Sequence, residues 1–448
     1  MGAPAPLKDA AHPLLQRAAA EVGCRAWVVG GYVRDHLLGR PHPDLDVVVE
    51  GGAGLRLAER FAELAGAPRP VVFERFGTAQ VRWDERLVEF VSARAESYRP
   101  DSRKPDVRPA ELLEDLRRRD FTVNTLVMDF EGRVQDPLGS GRRDLEARVL
   151  RTPDDPLRTF SDDPLRMLRA VRLAAQLGFR LDPGLAPAMR ELRDRLQPPV
   201  LSVERTAEEL RRMLVSERPR LALELMEEGG LLEVVLPEVA ACRGVPQTGW
   251  HTHDVYGHTL RAVELSPPEL VVRLAALFHD VGKPGTAAPD GSFLGHDKLG
   301  AGLATARLQA LRFSHAEVER VARLVRLHLR PVFYQADWKD GAVRRLARDA
   351  GDLLWPLLAL ARADVGASAY PHPEKLDELE ARLRAVLEEK PSRFQLPVSG
   401  RDIMRTLGIP AGPRVGEVKA RLLELLLEGS LEPTHEAVLD HLKSHPDL

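Results

Sequence analysis

Three groups of residues in this sequence have types and spacings suited to chemistry on phosphates. In the first, Gly30-Gly31 precedes Arg34, and Asp44 and Asp46 follow a short loop later. Glycines let backbone N–H groups approach an anion closely, and a helix starting after them adds partial positive charge. Arg34, one turn into that helix, can fork onto phosphate oxygens. Asp44 and Asp46 stand two apart in an extended run, so both carboxylates leave one face of a strand. Two oxygen ligands on a rigid face, beside a triphosphate cradle, are what Mg2+ ions need to bridge a nucleotide and an attacking hydroxyl. Glu89, inside Val88-Glu89-Phe90-Val91, is a carboxylate in an apolar strand; such a group is costly without a partner, and the same cations would be one.

The second group is Arg117-Arg118-Arg119-Asp120-Phe121-Thr122-Val123-Asn124, followed by a helix after Ser161-Asp162-Asp163-Pro164. Arg118 and Arg119 suit a triphosphate, the Asn124 amide suits a ribose hydroxyl, and Asp120 can orient either. The later helix has a good N-terminal cap and carries Arg166, Arg169 and Arg172 at three-residue spacing. Asp163 and Arg166, three apart, can face one ligand. Cytosine offers its N4 amino donor beside the N3 and O2 acceptors, and adenine offers its N6 amino donor beside N1. One carboxylate plus one guanidinium complements both, whereas uracil and guanine present the reverse polarity.

The third group is His258, His279-Asp280, His296, His328 and Asp364, in or beside helical stretches. Imidazole and carboxylate donors without a thiolate suit a divalent ion such as Mn2+, Ni2+ or Mg2+, and hydrolysis at phosphorus. His251 and His253 compete with His258 for the first position; His258 is preferred because Thr259-Leu260 begins a helix.

The elements that must hold these groups follow from periodicity. Residues 14–21 read as a lead-in helix, 26–29 and 47–49 as buried strands around the glycines, and 32–38 and 55–65 as helices. Residues 71–73, 78–83 and 87–91 read as further strands of one mixed or antiparallel sheet. Residues 94–113 carry Pro100, Pro105 and Pro109 among charges and read as a long loop. Asp136-Pro137-Leu138-Gly139 is a turn closing this part. From Pro156 strand signals nearly vanish, and 204–214, 221–226 and 417–427 read as helices. The fold class is therefore α+β, with a mixed-sheet head followed by an all-α remainder.

The strings Gly30-Gly31-x-Val33-Arg34-Asp35 with Asp44-x-Asp46, and Arg118-Arg119-Asp120-x-x-x-Asn124, resemble the head of the class II (bacterial-type) tRNA nucleotidyltransferases. These are the CCA-adding enzymes, related to the bacterial poly(A) polymerases. Asp162-Asp163-x-x-Arg166 resembles that family's Glu-Asp-x-x-Arg, with Asp162 in place of Glu. His279-Asp280-x-Gly282-Lys283 resembles the HD phosphohydrolase superfamily, and some CCA-adding enzymes carry such a domain. The resemblance implies a head over 1–150, a neck and body over 151–245, an HD domain over 246–370 and an RNA-binding tail over 371–448. It implies C or A addition to tRNA 3' ends from CTP and ATP, with Mg2+ on Asp44, Asp46 and Glu89. It also implies removal of phosphate or 2',3'-cyclic phosphate from RNA ends. A poly(A) polymerase, an enzyme adding only CC or only A, and a non-catalytic RNA-binding protein are the alternatives.

Composition bounds these readings. The 448 residues leave room for two to four domains, and 44% apolar with 29% charged residues is ordinary for a soluble protein. A net charge of −3 gives no general basic surface, so RNA contacts must be local. Two cysteines far apart fit a reducing cytoplasm and neither a disulfide framework nor a thiolate site. No run approaches the roughly 18 apolar residues of a membrane span, and the first ten residues lack the shape of a signal peptide. The oligomeric state is left open.

Overall fold

The β-branched runs flanking the glycine pair become neighbouring strands at the centre of a sheet. In the computed structural model, which describes residues 9–41, 44–74, 77–99, 102–247, 249–250, 252–388 and 395–448, they are β1 (Ala26–Val29) and β2 (Leu45–Val49). β3 (Val71–Phe73), β4 (Thr78–Trp83) and β5 (Arg86–Ser92) follow in sequence. β6 (Arg94–Arg99) and β7 (Ser102–Pro109) form a separate two-stranded ribbon, and β8 (Val127–Met128) and β9 (Val134–Gln135) complete the sheet. The strand order is β3-β4-β5-β2-β1-β8-β9. β2 and β5 run parallel and the other described pairings in this sheet are antiparallel, so the sheet is mixed as expected.

Helix Gly54–Ala65 covers one face with Leu57, Ala58 and Phe61. The Phe61 ring sits 5.7 Å from Trp83 and 5.5 Å from Phe90, which both point to that side. On the other face Val29, Val48, Ala93 and Val127 pack with Leu112 and Leu116 of the short helix Leu112–Arg117. Alternation along β2 and β5 thus leaves Asp46 and Glu89 on the face opposite Phe61.

Of the segment expected to be a loop, Arg94–Arg99 and Ser102–Pro109 are strands instead. Arg94 pairs with Pro109 and Ser97 with Asp106 in an antiparallel ribbon, with a register shift between Ser97 and Arg99. A two-stranded ribbon has two free edges, so proline can stand where no ladder hydrogen bond is required. Proline therefore misled the sequence reading here.

Beyond the head the described residues are helical apart from one small parallel pair, Val149–Leu150 with Arg180–Leu181. Helix Pro156–Asp162 is capped by Asp155, and helix Leu165–Leu177 follows after an extended Asp163. The structure divides into two compact units, Met1–Val235 and Leu236–Leu448. In the second, helices Val255–Leu265, Leu270–Phe278, His296–Ala310, His315–Leu327 and Leu354–Gly366 assemble around the histidine group. Further on, Val398, Ile403, Val418, Leu422, Leu426, Val438 and Leu442 form a separate small core. Its helix Pro413–Glu428 is tied to helix Asp340–Ala350 by Arg345 and Arg348, which both reach Glu424.

Candidate functional site

Gly30 ends β1 with φ 79° and ψ −139°, a backbone shape that suits only glycine. A Cβ at this position would stand 3.3 Å from Asp46 Oδ2 and 3.6 Å from Arg119 Nη1. The glycine turn, the central carboxylate and the arginine cluster therefore converge. Asp46 lies opposite Glu89 in the parallel pairing, and Gln80 lies opposite Glu89 on its other side. Gln80 Nε2 donates to Glu89 Oε2 at 3.2 Å. Asp44 is exposed just before β2, its Oδ1 3.4 Å from the Leu87 N–H.

Asp46 is the carboxylate whose surroundings disturb it. Burial raises the Asp46 pKa most, Arg119 opposes it, and the Glu89 and Asp44 charges add to it, giving a value of about 6. The arginines therefore leave negative charge uncompensated. An all-oxygen donor set with surplus negative charge fits a hard divalent cation such as Mg2+.

Around this spot the polar groups form a connected chain. Arg34 is buried, pairs with Asp35, and donates from Nη1 to Asn124 Oδ1 at 2.7 Å. Asn124 Nδ2 donates to Asp120 Oδ1 at 2.9 Å, and Arg169 Nε donates to Asp120 Oδ2 at 2.9 Å. Burial would raise the Asp120 pKa, but Arg169 and Asn124 together hold it well below the usual carboxylate range. Arg166 donates to the backbone oxygens of Arg118, at 2.6 Å, and Thr159, at 3.3 Å. Asp163 Oδ1 accepts from the Leu165 N–H at 3.2 Å, at the elbow between the two helices. Arg172 points elsewhere: it is buried against Glu209 and Gln176.

Two members of the arrangement escape sequence reading. Asp115 is fully buried and accepts from Arg118, Arg119 and the backbone N–H of Arg94, the first residue of the ribbon. Within Leu112–Arg117 it looks like one more surface charge, so nothing marked it. Gln80 had a weak signal, because alternation in Thr78–Trp83 puts it on the face away from Ala79 and Val81. A cleft of about 590 Å3 lined by Cys24, Arg25, Glu50, Arg56, Arg108 and Glu114 lies at the other ends of β1 and β2. It is remote from the carboxylates.

The second unit gathers all six predicted residues. His258, His279 and Asp364 offer ligand atoms within 4.8 Å of one another, and so do Asp280, His296 and His328. Nε2 of His258 and of His279 are 3.2 Å apart, and those of His296 and His328 are 3.3 Å apart. Each ring's Nδ1 faces a backbone oxygen: Ala276 for His279, Phe293 for His296 and Val325 for His328, each at 2.7 Å, and Ala367 for His258 at 3.4 Å. With Nδ1 turned to those carbonyls, the Nε2 atoms face inward, where metal ligands would sit. His253 is exposed, and His251 lies outside the described residues.

Electrostatics matches this geometry. Burial lowers the His328 pKa to about 4, helped by the facing His279. Burial alone would lower His279 too, but Asp280 and Asp364 override it and raise it to about 9. Lys283 Nζ donates to Asp280 Oδ2 at 2.6 Å. A buried set of four imidazoles and two carboxylates fits a divalent cation better than it fits protons alone.

The head sheet with its glycine turn defines the class, a nucleotidyltransferase, here joined to an HD unit. Residues 26–151 match the Poly A polymerase head domain, 178–243 the probable RNA and SrmB-binding site of polymerase A, and 251–382 the HD domain. The A-adding tRNA nucleotidyltransferase of Deinococcus radiodurans is 37% identical over 92% of this chain and 94% of its own length. The CC-adding tRNA nucleotidyltransferase of Thermus thermophilus is 37% identical over 92% of each. The fold is also that of the Bacillus stearothermophilus CCA-adding enzyme crystallised with CTP, with a TM-score of 0.69, 24% identity, and 98% of this chain and 97% of that one covered. The chain belongs to the tRNA nucleotidyltransferase family. No helix among the described residues is long and apolar enough to cross a membrane.

Proposed function

We propose that the chain adds C, A or both to tRNA 3' ends from CTP and ATP without a nucleic-acid template, in the cytoplasm. The carrying observation is that Asp46 and Glu89 lie opposite each other within reach of the Gly30 turn and Arg119. Asp44, Asp46 and Glu89 would hold Mg2+. When bound there, Mg2+ would neutralise charge on the transferring phosphoryl group and orient the attacking hydroxyl.

The protein's own part is placement. Gly30 and Gly31 let the backbone approach the triphosphate, and Arg118 and Arg119 balance its charge. Arg34 fixes the Asn124 amide toward the ribose, and Asp120 orients Asn124 and Arg169 together. Asp163 and Arg166 select cytosine and adenine by hydrogen-bond polarity. Arg172, spent on Glu209, steadies the helix that carries Arg166 and Arg169. Such prepaid orientation accounts for much of the rate in reactions with little covalent chemistry for the protein to do.

We further assign to His258, His279, Asp280, His296, His328 and Asp364 a centre for Mn2+, Ni2+ or Mg2+ that hydrolyses phosphate or 2',3'-cyclic phosphate at RNA ends. Such ends block the free 3'-hydroxyl that addition requires. The decisive experiment supplies tRNA lacking one or three terminal nucleotides with CTP, ATP or both and sizes the products. Extension by one A, by two C or by all three identifies the product, and no extension overturns the proposal.

A further inference from the structure

The register of the head sheet sets four side chains in one row across it. Asp46 lies opposite Glu89, Glu89 opposite Gln80, and Gln80 opposite Val71. The next row along the same face is Val48, Val91, Thr78 and Phe73. Arg82, opposite Leu87, leaves that face too, on the Asp44 side. Directly opposed residues in neighbouring strands project to the same side. The helix Leu112–Arg117 closes this face over Val29 and Val48. The outer half stays open: Val71 is 59% exposed, Phe73 is 43% exposed, and Arg82 is exposed.

Two large apolar side chains and a cation thus stand in water on the open half of the face that carries the carboxylates. The reaction says what should cover it. In-line transfer needs the attacking and leaving oxygens on opposite sides of phosphorus. The Gly30 turn and Arg119, proposed above to hold the triphosphate, lie on the β1 side of Asp46. The attacking hydroxyl must then arrive from the β5 side, where β4 and β3 follow.

We propose that Val71, Phe73, Gln80 and Arg82 seat the 3'-terminal nucleotide of the RNA substrate. Phe73 and Val71 meet its base and Arg82 its phosphate, so that the ribose lies over Gln80 beside Glu89. Gln80 keeps Glu89 aimed at the row through its amide. Stacking on an aromatic ring is indifferent to base identity, which suits a primer end that changes with each addition. This inference rests on the nucleotidyltransferase reading of the head.

The test uses full-length protein and a tRNA whose 3'-terminal base is 2-aminopurine. Binding to the unaltered protein quenches the fluorescence by stacking. Phe73→Ala restores it, while Phe73→Trp keeps the quench. Phe73→Ala and Arg82→Ala each raise the KM for tRNA about tenfold, in line with the strength of base–aromatic stacking, and leave the KM for CTP and ATP unchanged. Both side chains are exposed, and equal melting temperatures show that the variants fold. Unchanged quenching and unchanged tRNA KM in Phe73→Ala overturn the proposal. A change in sedimentation without either effect assigns the β3 edge to a second copy of the chain and also overturns it. Failure of the unaltered protein to extend any tRNA would instead sink the reading of the head itself.

Discussion

Asp46 and Glu89 face each other across the parallel pairing of β2 and β5, although a helix and a hairpin separate their strands in sequence. Asp46→Asn is therefore expected to reduce nucleotide addition by at least about a hundredfold, the scale of losing one preorganised electrostatic partner. Glu89→Gln is expected to cost about tenfold or more, because it neutralises one of the three carboxylates that would hold the ion. Single-turnover extension of tRNA, with near-UV circular dichroism to confirm the fold, checks both. Wild-type rates for Asp46→Asn would remove that carboxylate from the chemistry.

Asp115 joins the ribbon's first residue to both arginines of the nucleotide cluster. Asp115→Asn keeps the shape but drops the charge that aligns Arg118 and Arg119. The KM for CTP and ATP should rise about tenfold, and stability should fall by about 2–3 kcal/mol, the range for hydrogen bonds to charged groups. Titration with each nucleotide and a urea melt separate the two effects. A stability loss with unchanged KM would make Asp115 structural only.

The Asp120–Arg169 pair should show itself in acid. The native pKa of Asp120 is depressed, so its contribution is complete above the unfolded value of about 3.9 and fades as pH falls toward the native value. Asp120→Asn should therefore be less stable than the unaltered protein at pH 7, and the gap should narrow below about pH 4. Arg169 keeps 36% of its side chain in water, so screening limits the expected gap to about 1–2 kcal/mol. Denaturant melts at pH 7, 5, 4 and 3 measure it, and a gap independent of pH would contradict the assignment.

For the second unit, His279→Ala with Asp280→Asn should abolish both the opening of a 2',3'-cyclic phosphate RNA end to a monophosphate and phosphate release from a monophosphate end, while addition persists. Mn2+ or Ni2+ should raise the melting temperature of the unaltered protein, because a ligand of the folded state alone stabilises it. Chelation should reverse the rise, and the double variant should not respond. Loss of both activities in that variant would mark the residues as structural.

How far the sequence shows all this depends on range. Gly30, Asp44 and Asp46 are close together in the chain, and a strand's two-residue repeat already implies their shared face. The His279-Asp280 pair and its partners were legible because adjacent His and Asp followed by Gly282-Lys283 resemble a known signature, with the other ligands at its usual spacing. Gln80 was not, because its relation to Glu89 is a matter of pairing between strands. Asp115 needed the ribbon above it before its burial made sense. The ribbon itself was hidden by prolines that a free strand edge tolerates, and Arg172 found its partner Glu209 on a helix that spacing alone does not bring near.

One consequence concerns position 30. Any side chain there, even alanine's methyl, meets a left-handed backbone and the Asp46 carboxylate at once. A chain that drifted at this position would both strain the turn and crowd the central carboxylate, while the HD unit kept its own core.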